Sequence, residues 1–290
     1  MKNKILLIIL AGFLMAGCKT ERTADVVSVS ILPQKFFIDQ LTGESLDVNV
    51  MIPPGASHAT YSPTPQQYRK LSDSRLYLGI GHLGYEQAWT PRLKELNPEM
   101  ALFTLSDLVE PIYGTCDHSH DHGHHHHHHH GVDPHIWLSP KVMLELLPHI
   151  KEALMEAYPE LSETISNNYP QLYSRVESIH HEMEQVAASV TQRSFMIFHP
   201  ALTYLARDYG LEQVSIEVDG KEPSPAMLAS TISQAKAKSI PVIFIQEEYD
   251  IRNAKMVSES TGMKVAQINP LAYDWVESMQ HIMNLFRKHL

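Results

Sequence analysis

QLYSRVESIHHEMEQVAASV, residues 171–190, is the stretch on which the choice of fold rests. Within it Leu172, Val176, Ile179, Met183, Val186 and Val190 recur at steps of four and three, which draws one narrow apolar stripe along a single long helix. Pro170 stands just before it, so the helix begins there or is kinked there. On both sides, short β-branched runs alternate with amphipathic stretches. Upstream, strands are expected at 26–31, 47–52, 76–80 and 101–105, and helices at 34–41 (closed by Gly43), 66–72, 85–96 and 143–158. Downstream, strands are expected at 195–198, 213–218, 242–245 and 264–268, and helices at 201–209, 226–236, 251–261 and 275–289. Strands separated by helices of this length build a parallel sheet covered on both faces. The expected class is therefore α/β, with two parallel-sheet lobes over residues 24–158 and 193–290 joined by a long rigid helix within 159–192.

Composition narrows what such a chain can do. With 290 residues, 43% apolar and 19% charged, it can bury two cores and is neither a disordered chain nor a membrane bundle. A formal net charge of -10 argues against nucleic acid as a partner, because neutralising phosphates needs a basic face. Two cysteines, Cys18 and Cys116, supply no disulfide framework. Histidine is the outlier at 19 copies, ten of them between His118 and His130, and such enrichment points to metal chemistry. At the start, Lys2 and Lys4 precede an apolar run, 5–15, that is too short to span a membrane. It ends in Leu14-Met15-Ala16-Gly17-Cys18, which resembles a bacterial lipobox. That resemblance implies lipid on Cys18 and an extracytoplasmic protein anchored to a bacterial membrane, in the periplasm or at the cell surface.

Three isolated histidines stand where strands hand over to loops. His58 follows the second strand in Gly55-Ala56-Ser57-His58, His199 ends the strand 195–198, and His135 lies in Asp133-Pro134-His135-Ile136-Trp137-Leu138. Ligands of open α/β sheets bind beyond the carboxyl ends of strands, which is where His58 and His199 fall. Neutral imidazole suits zinc, and three of them leave one tetrahedral position for another group. Spacing alone leaves each histidine equally readable as a surface or hydrogen-bonded core residue.

The motifs around them go further. Gly55 to His58 followed by Tyr61-Ser62-Pro63-Thr64-Pro65, the segment 133–140, Phe198-His199-Pro200-Ala201 with Tyr204-Leu205-Ala206, and Glu222-Pro223-Ser224-Pro225 together resemble the metal-binding receptors of bacterial ABC importers. The likeness is to the zinc-receptor branch typified by ZnuA and covers 26–275. It implies two lobes around a long helix, a Zn²⁺ site between the lobes on His58, His135 and His199, and an ABC permease of a zinc importer as partner. It also implies a monomeric receptor with no catalytic residues, in which zinc leaves through local loop movement. Manganese receptors of the family tend to carry a carboxylate where His199 stands, and nitrogen ligands favour zinc over manganese.

Two departures leave the fourth ligand open. Many relatives have an aspartate where this chain has Asn269, and the strand often closed by glutamate carries Gln246, followed by Glu247 and Glu248. Water, the Asn269 carbonyl oxygen or Glu247 are the candidates. The loop bearing His118, His120, His122, His124, His125, His126, His127, His128, His129 and His130 reads as a low-affinity zinc collector, with Cys116 at its base. Its capture should fade as pH falls through about 6.5, where imidazoles protonate. His82 is a second-sphere candidate, Trp137 and Tyr61 should pack near the metal, and His180, His181, His281 and His289 read as surface residues on helices. The alternatives are a manganese or iron receptor of the same family, or a zinc-dependent hydrolase on three histidines and water with Glu247 or Glu248 as base. No H-E-x-x-H spacing supports the hydrolase.

Overall fold

The computed structural model describes residues 25–57, 60–113, 131–217 and 224–290. The first sheet contains β1 (Val26–Val29), β2 (Asp47–Val50), β3 (Ser74–Gly79) and β4 (Ala101–Thr104), all parallel in the order β2-β1-β3-β4. The second contains β5 (Ser194–Ile197), β6 (Glu212–Ser215), β7 (Val242–Gln246) and β8 (Lys264–Ile268), again parallel in the matching order β6-β5-β7-β8. Inner strands β1, β5 and β7 are buried at every residue, because helices cover both faces, whereas edge strands β4, β6 and β8 expose part of their length.

Around the first sheet pack α1 (Leu32–Thr42), α2 (Pro65–Ser72), α3 (Gly84–Leu96) and α4 (Pro140–Ala157). After the long α5 (Ser162–Ser189) come α6 (Thr203–Tyr209), α7 (Pro225–Ala237), α8 (Ile251–Thr261) and α9 (Trp275–His289). Each expected strand and helix is present, with ends displaced by a few residues. The displaced end of β1 has a visible cause. The buried Gln34 side chain accepts from Ser30 N (2.9 Å) and Ile31 N (3.0 Å) and donates to Leu78 O (2.9 Å), so it draws the chain off the sheet and into α1. Gly43 closes α1 in the left-handed conformation (φ 63°), as a C-terminal glycine does.

The long helix departs from its expected start. It begins at Ser162 and runs through Pro170, extending the stripe upstream to the buried Ile165, seven residues before Leu172. The polar run 162–168 hides this first part from a hydrophobic pattern. Its 28 residues span about 42 Å and pack on α1 and α4 of the first lobe and on α9 of the second. Direct contacts between the lobes reinforce that brace. Phe37 packs on Trp275 (ring centroids 5.3 Å), Trp275 Nε1 donates to Trp137 O (2.7 Å), and Trp137 Nε1 donates to Pro270 O (2.9 Å). Tyr273 Oη donates to Asp39 (2.8 Å), and Tyr204 Oη donates to Asp133 O (3.0 Å). Residues 133–137 are thereby stitched to the second lobe. No helix among the described residues is long and apolar enough to cross a membrane.

Candidate metal centre

In both sheets the chain adds one strand on one side of the first strand and then crosses to the other side, which leaves a crevice between the central pair. In the first lobe that crevice is filled. Glu86 is buried there and accepts from Ser30 Oγ, Tyr77 Oη (2.9 Å) and Ile80 N (3.0 Å), while burial raises its carboxyl above the usual range. In the second lobe the crevice between β5 and β7 holds His199. The fully buried Gln246, last residue of β7, donates from Nε2 to His199 O (2.6 Å) and accepts from His199 N (3.4 Å) at Oε1. An ionised carboxylate could accept but not donate, so the amide is the group that makes both bonds.

His199 and His135 meet at the centre. Each Nδ1 faces a carboxylate: His199 is 2.7 Å from Glu217 Oε2, and His135 is 2.7 Å from Asp133 Oδ1. Asp133 Oδ1 also accepts from His135 N (2.8 Å). Burial would raise the Asp133 carboxyl, but the charge and hydrogen bonds of His135 outweigh it and hold the group below its ordinary value. Ionised carboxylates only accept, so both Nδ1 atoms donate, and in a neutral ring Nε2 is then the nitrogen that carries the lone pair. Those two Nε2 atoms lie 3.2 Å apart. At that distance one Nε2–H can hydrogen-bond the other nitrogen, and a metal ion can take that proton's place between the two rings. Two nitrogens bound tetrahedrally to one zinc ion are separated by about 3.3 Å, so the spacing fits that metal. The carboxylate–imidazole pairs fix ring orientation and raise ligand basicity.

Aromatic rings wall the pair. Trp137 packs on His135 (centroids 5.2 Å) and Tyr249 stacks on His199 (5.4 Å, 19°). Tyr249 also brings its hydroxyl within reach of Ser57, the residue before His58 in sequence. His58 itself lies outside the described residues, as do Cys18, Cys116 and the whole histidine run 118–130. The described flanks of that run pair as a bridge between Tyr113 and Val132, and Asp133 N donates to Ile112 O (2.8 Å), which places both ends beside Asp133.

The two fourth-ligand candidates turn toward each other. Asn269 Nδ2 donates to Glu247 Oε2 (2.7 Å), and Asn269 Oδ1 accepts from Leu271 N (3.1 Å). Glu248 Oε1, by contrast, is buried with no hydrogen-bond partner among the described residues. Burial raises the Glu248 carboxyl above its usual range, and the nearby His135 acts in the opposite direction.

The remaining histidines take other places. His82 sits in the left-handed turn after β3 (φ 64°) with its carbonyl accepting from Gln87. His181 and His281 are exposed, as expected, but His180 is half-buried with Nδ1 2.8 Å from Tyr209 Oη. Tyr61 Oη donates to Gln67 (2.9 Å) at the start of α2. Ser224 caps α7 and Pro225 opens it, in keeping with the turn-chemistry reading of that segment. Sequence reasoning passed over Glu217 and Tyr249, which pack on His199. Only Asp133, two residues before His135, left a local trace.

Comparison with known proteins adds four findings. The family described as zinc-uptake complex component A, periplasmic (ZnuA), matches residues 27–288. The zinc-binding lipoprotein AdcA of Streptococcus pneumoniae is 29% identical over 93% of the chain, which spans 55% of that relative, about half its length. The high-affinity zinc uptake system protein ZnuA of Bacillus subtilis is 28% identical over 92% of the chain and 88% of its own. Among solved structures, a ZnuA deletion mutant with zinc bound superposes with a TM-score of 0.81 at 30% identity, covering 92% of this chain and 98% of that one.

Proposed function

The chain belongs to the ZnuA family of periplasmic zinc-uptake components, and from that premise we propose that it is an extracytoplasmic receptor that captures Zn²⁺ and delivers it to an ABC importer. The ion is held between the lobes by the Nε2 atoms of His135 and His199 and by His58. One observation carries this reading. Two buried imidazoles, each backed by a carboxylate at 2.7 Å, aim their Nε2 atoms at a common point 3.2 Å across. Nitrogen ligands favour zinc over manganese, and the comparisons support neither the manganese or iron receptor nor the hydrolase. Zinc is cargo here, so affinity must be reversible.

Lipid on Cys18 tethers the receptor beside its permease, and the receptor acts as a monomer. The loop 117–130 gathers zinc at low affinity near the mouth of the site. The test is zinc stoichiometry by chelator competition on protein lacking 117–130, with and without His199→Ala. One tight zinc that vanishes with His199→Ala is the expected outcome. Tight binding that disappears with the loop alone would make this a zinc scavenger and end the receptor reading.

A further inference from the structure

We propose that His180, His181 and Glu184 on α5 form a second metal site, on the outer surface of the protein, that takes a zinc ion or a similar divalent transition-metal ion. The three stand at positions i, i+1 and i+4 of the long helix. One ligand atom from each lies within 4.8 Å of the other two, and among the described residues no other trio of His, Cys, Asp or Glu does so. Both Glu184 oxygens face an imidazole nitrogen: Oε2 is 3.0 Å from His181 Nδ1, and Oε1 is 3.6 Å from His180 Nε2. Two ligands of a tetrahedral zinc ion are about 3.3 Å apart, so these separations bracket what one ion requires. Two imidazoles with a carboxylate suit zinc and its transition-metal neighbours, whereas magnesium and calcium take oxygen ligands.

A His–Glu pair on a helix needs no metal, and His149 with Glu152 (3.9 Å) is such a pair. Two features set the α5 trio apart. Two imidazoles converge on one carboxylate, and the ring of His180 is held from behind. That side chain is only 18% exposed, and its Nδ1 lies 2.8 Å from Tyr209 Oη at the end of α6. Tyr209 Oη in turn accepts from Lys141 N (3.1 Å) at the start of α4. When Nδ1 donates to that hydroxyl, Nε2 carries the lone pair, and Nε2 is the nitrogen turned to Glu184. Such a partner behind the ring is what fixes the orientation of metal-binding histidines. His181 and Glu184 are 62% and 54% exposed, so water completes the coordination and the ion exchanges readily. Helix α6 separates this site from the inter-lobe one: its Tyr204 bonds Asp133 O, and its Tyr209 bonds His180. The inference stands independently of the receptor reading.

The test is modification of the full chain by diethyl pyrocarbonate, which acylates imidazole nitrogens that are neither protonated nor metal-bound. Modified histidines are identified by peptide mass spectrometry across a series of zinc concentrations. Zinc should protect His181 and magnesium should not, while His149 stays reactive as the control pair. Glu184→Ala, at an exposed position where alanine favours helix, removes one ligand and should raise the zinc concentration for half-protection at least about tenfold. His199→Ala should leave that concentration unchanged. Three results would each reduce the trio to a surface ion pair and overturn the proposal: His181 reactivity that zinc does not alter, protection that persists in Glu184→Ala, or equal protection of His149. Protection lost with His199→Ala would overturn it too, as an effect of zinc bound between the lobes.

Discussion

Glu217→Gln tests the least visible part of the site. The substitution keeps the volume and one carbonyl acceptor for His199 Nδ1 but removes the negative charge that faces it at 2.7 Å. Across the imidazole ring, that charge lies about 7 Å from a metal on Nε2. At an effective dielectric of about 20, a unit charge and a dication at that separation attract by about 5 kcal/mol, an upper bound because zinc-free protein also stabilises the carboxylate. Removing such a partner typically costs 10- to 100-fold in metal affinity, or about 1.4–2.8 kcal/mol, so the surviving effect is roughly a third to a half of the bare attraction. The assay is chelator competition with protein lacking 117–130, accompanied by urea unfolding in chelator to confirm that the variant is folded. A folded Glu217→Gln protein that binds zinc within twofold of wild type would refute the claim that the carboxylate works through His199 on the metal.

Other positions test other links. Asp133 has a folded-state value below that of the unfolded chain, so its contribution to stability is present above about pH 4 and fades as pH falls through the lowered folded value. Asp133→Asn in chelator should therefore unfold at lower urea than wild type near pH 7, and the gap should close in acid; a gap independent of pH would refute this. Gly81 holds φ 86°, and a Cβ there would lie 2.0 Å from Ser106 Oγ and 2.8 Å from Thr104 Cγ2. Gly81→Ala should cost more than about 2 kcal/mol in urea unfolding, since a strained φ alone costs about 1–3. Trp275→Phe should cost about 1–3 kcal/mol by leaving the buried Trp137 carbonyl without its indole donor, measured the same way.

The fold was legible because its signals are local and periodic. Runs such as Val242 to Ile245 and the stripe from Leu172 to Val186 declare strand and helix by themselves. The start of α5 was not legible, because residues 162–168 offer only Ile165 to a hydrophobic pattern and Pro170 suggests a boundary. Of the site, His199 and His135 were readable from strand ends and motifs. Their partners were not: Glu217 is 18 residues from His199 and meets it only because β6 pairs with β5. The amide at 246 read as a lost carboxylate, yet its reciprocal bonds to the His199 backbone require an amide's donor and acceptor together. Pairing across a sheet joins residues that no sequence window contains.

The same packing decides how zinc can leave. Two lobes of identical strand order suggest a clamshell, but their seam is closed by Phe37, Trp137 and Trp275, each about 1% exposed, and by α5 lying along both lobes. Aromatic side chains bury about 150–250 Å² each, so exposing even half of those three would cost about 6–9 kcal/mol. That is comparable to the whole stability of a typical domain, so a wide hinge opening would approach unfolding. The turn 247–250 carries none of the three rings. Its shift would still withdraw Tyr249 from the His199 ring, while Gln246 stays in β7 against Ile268. Release through that turn is therefore the less costly route, and it places one wall of the metal site and the means of loosening it on the same few residues after β7.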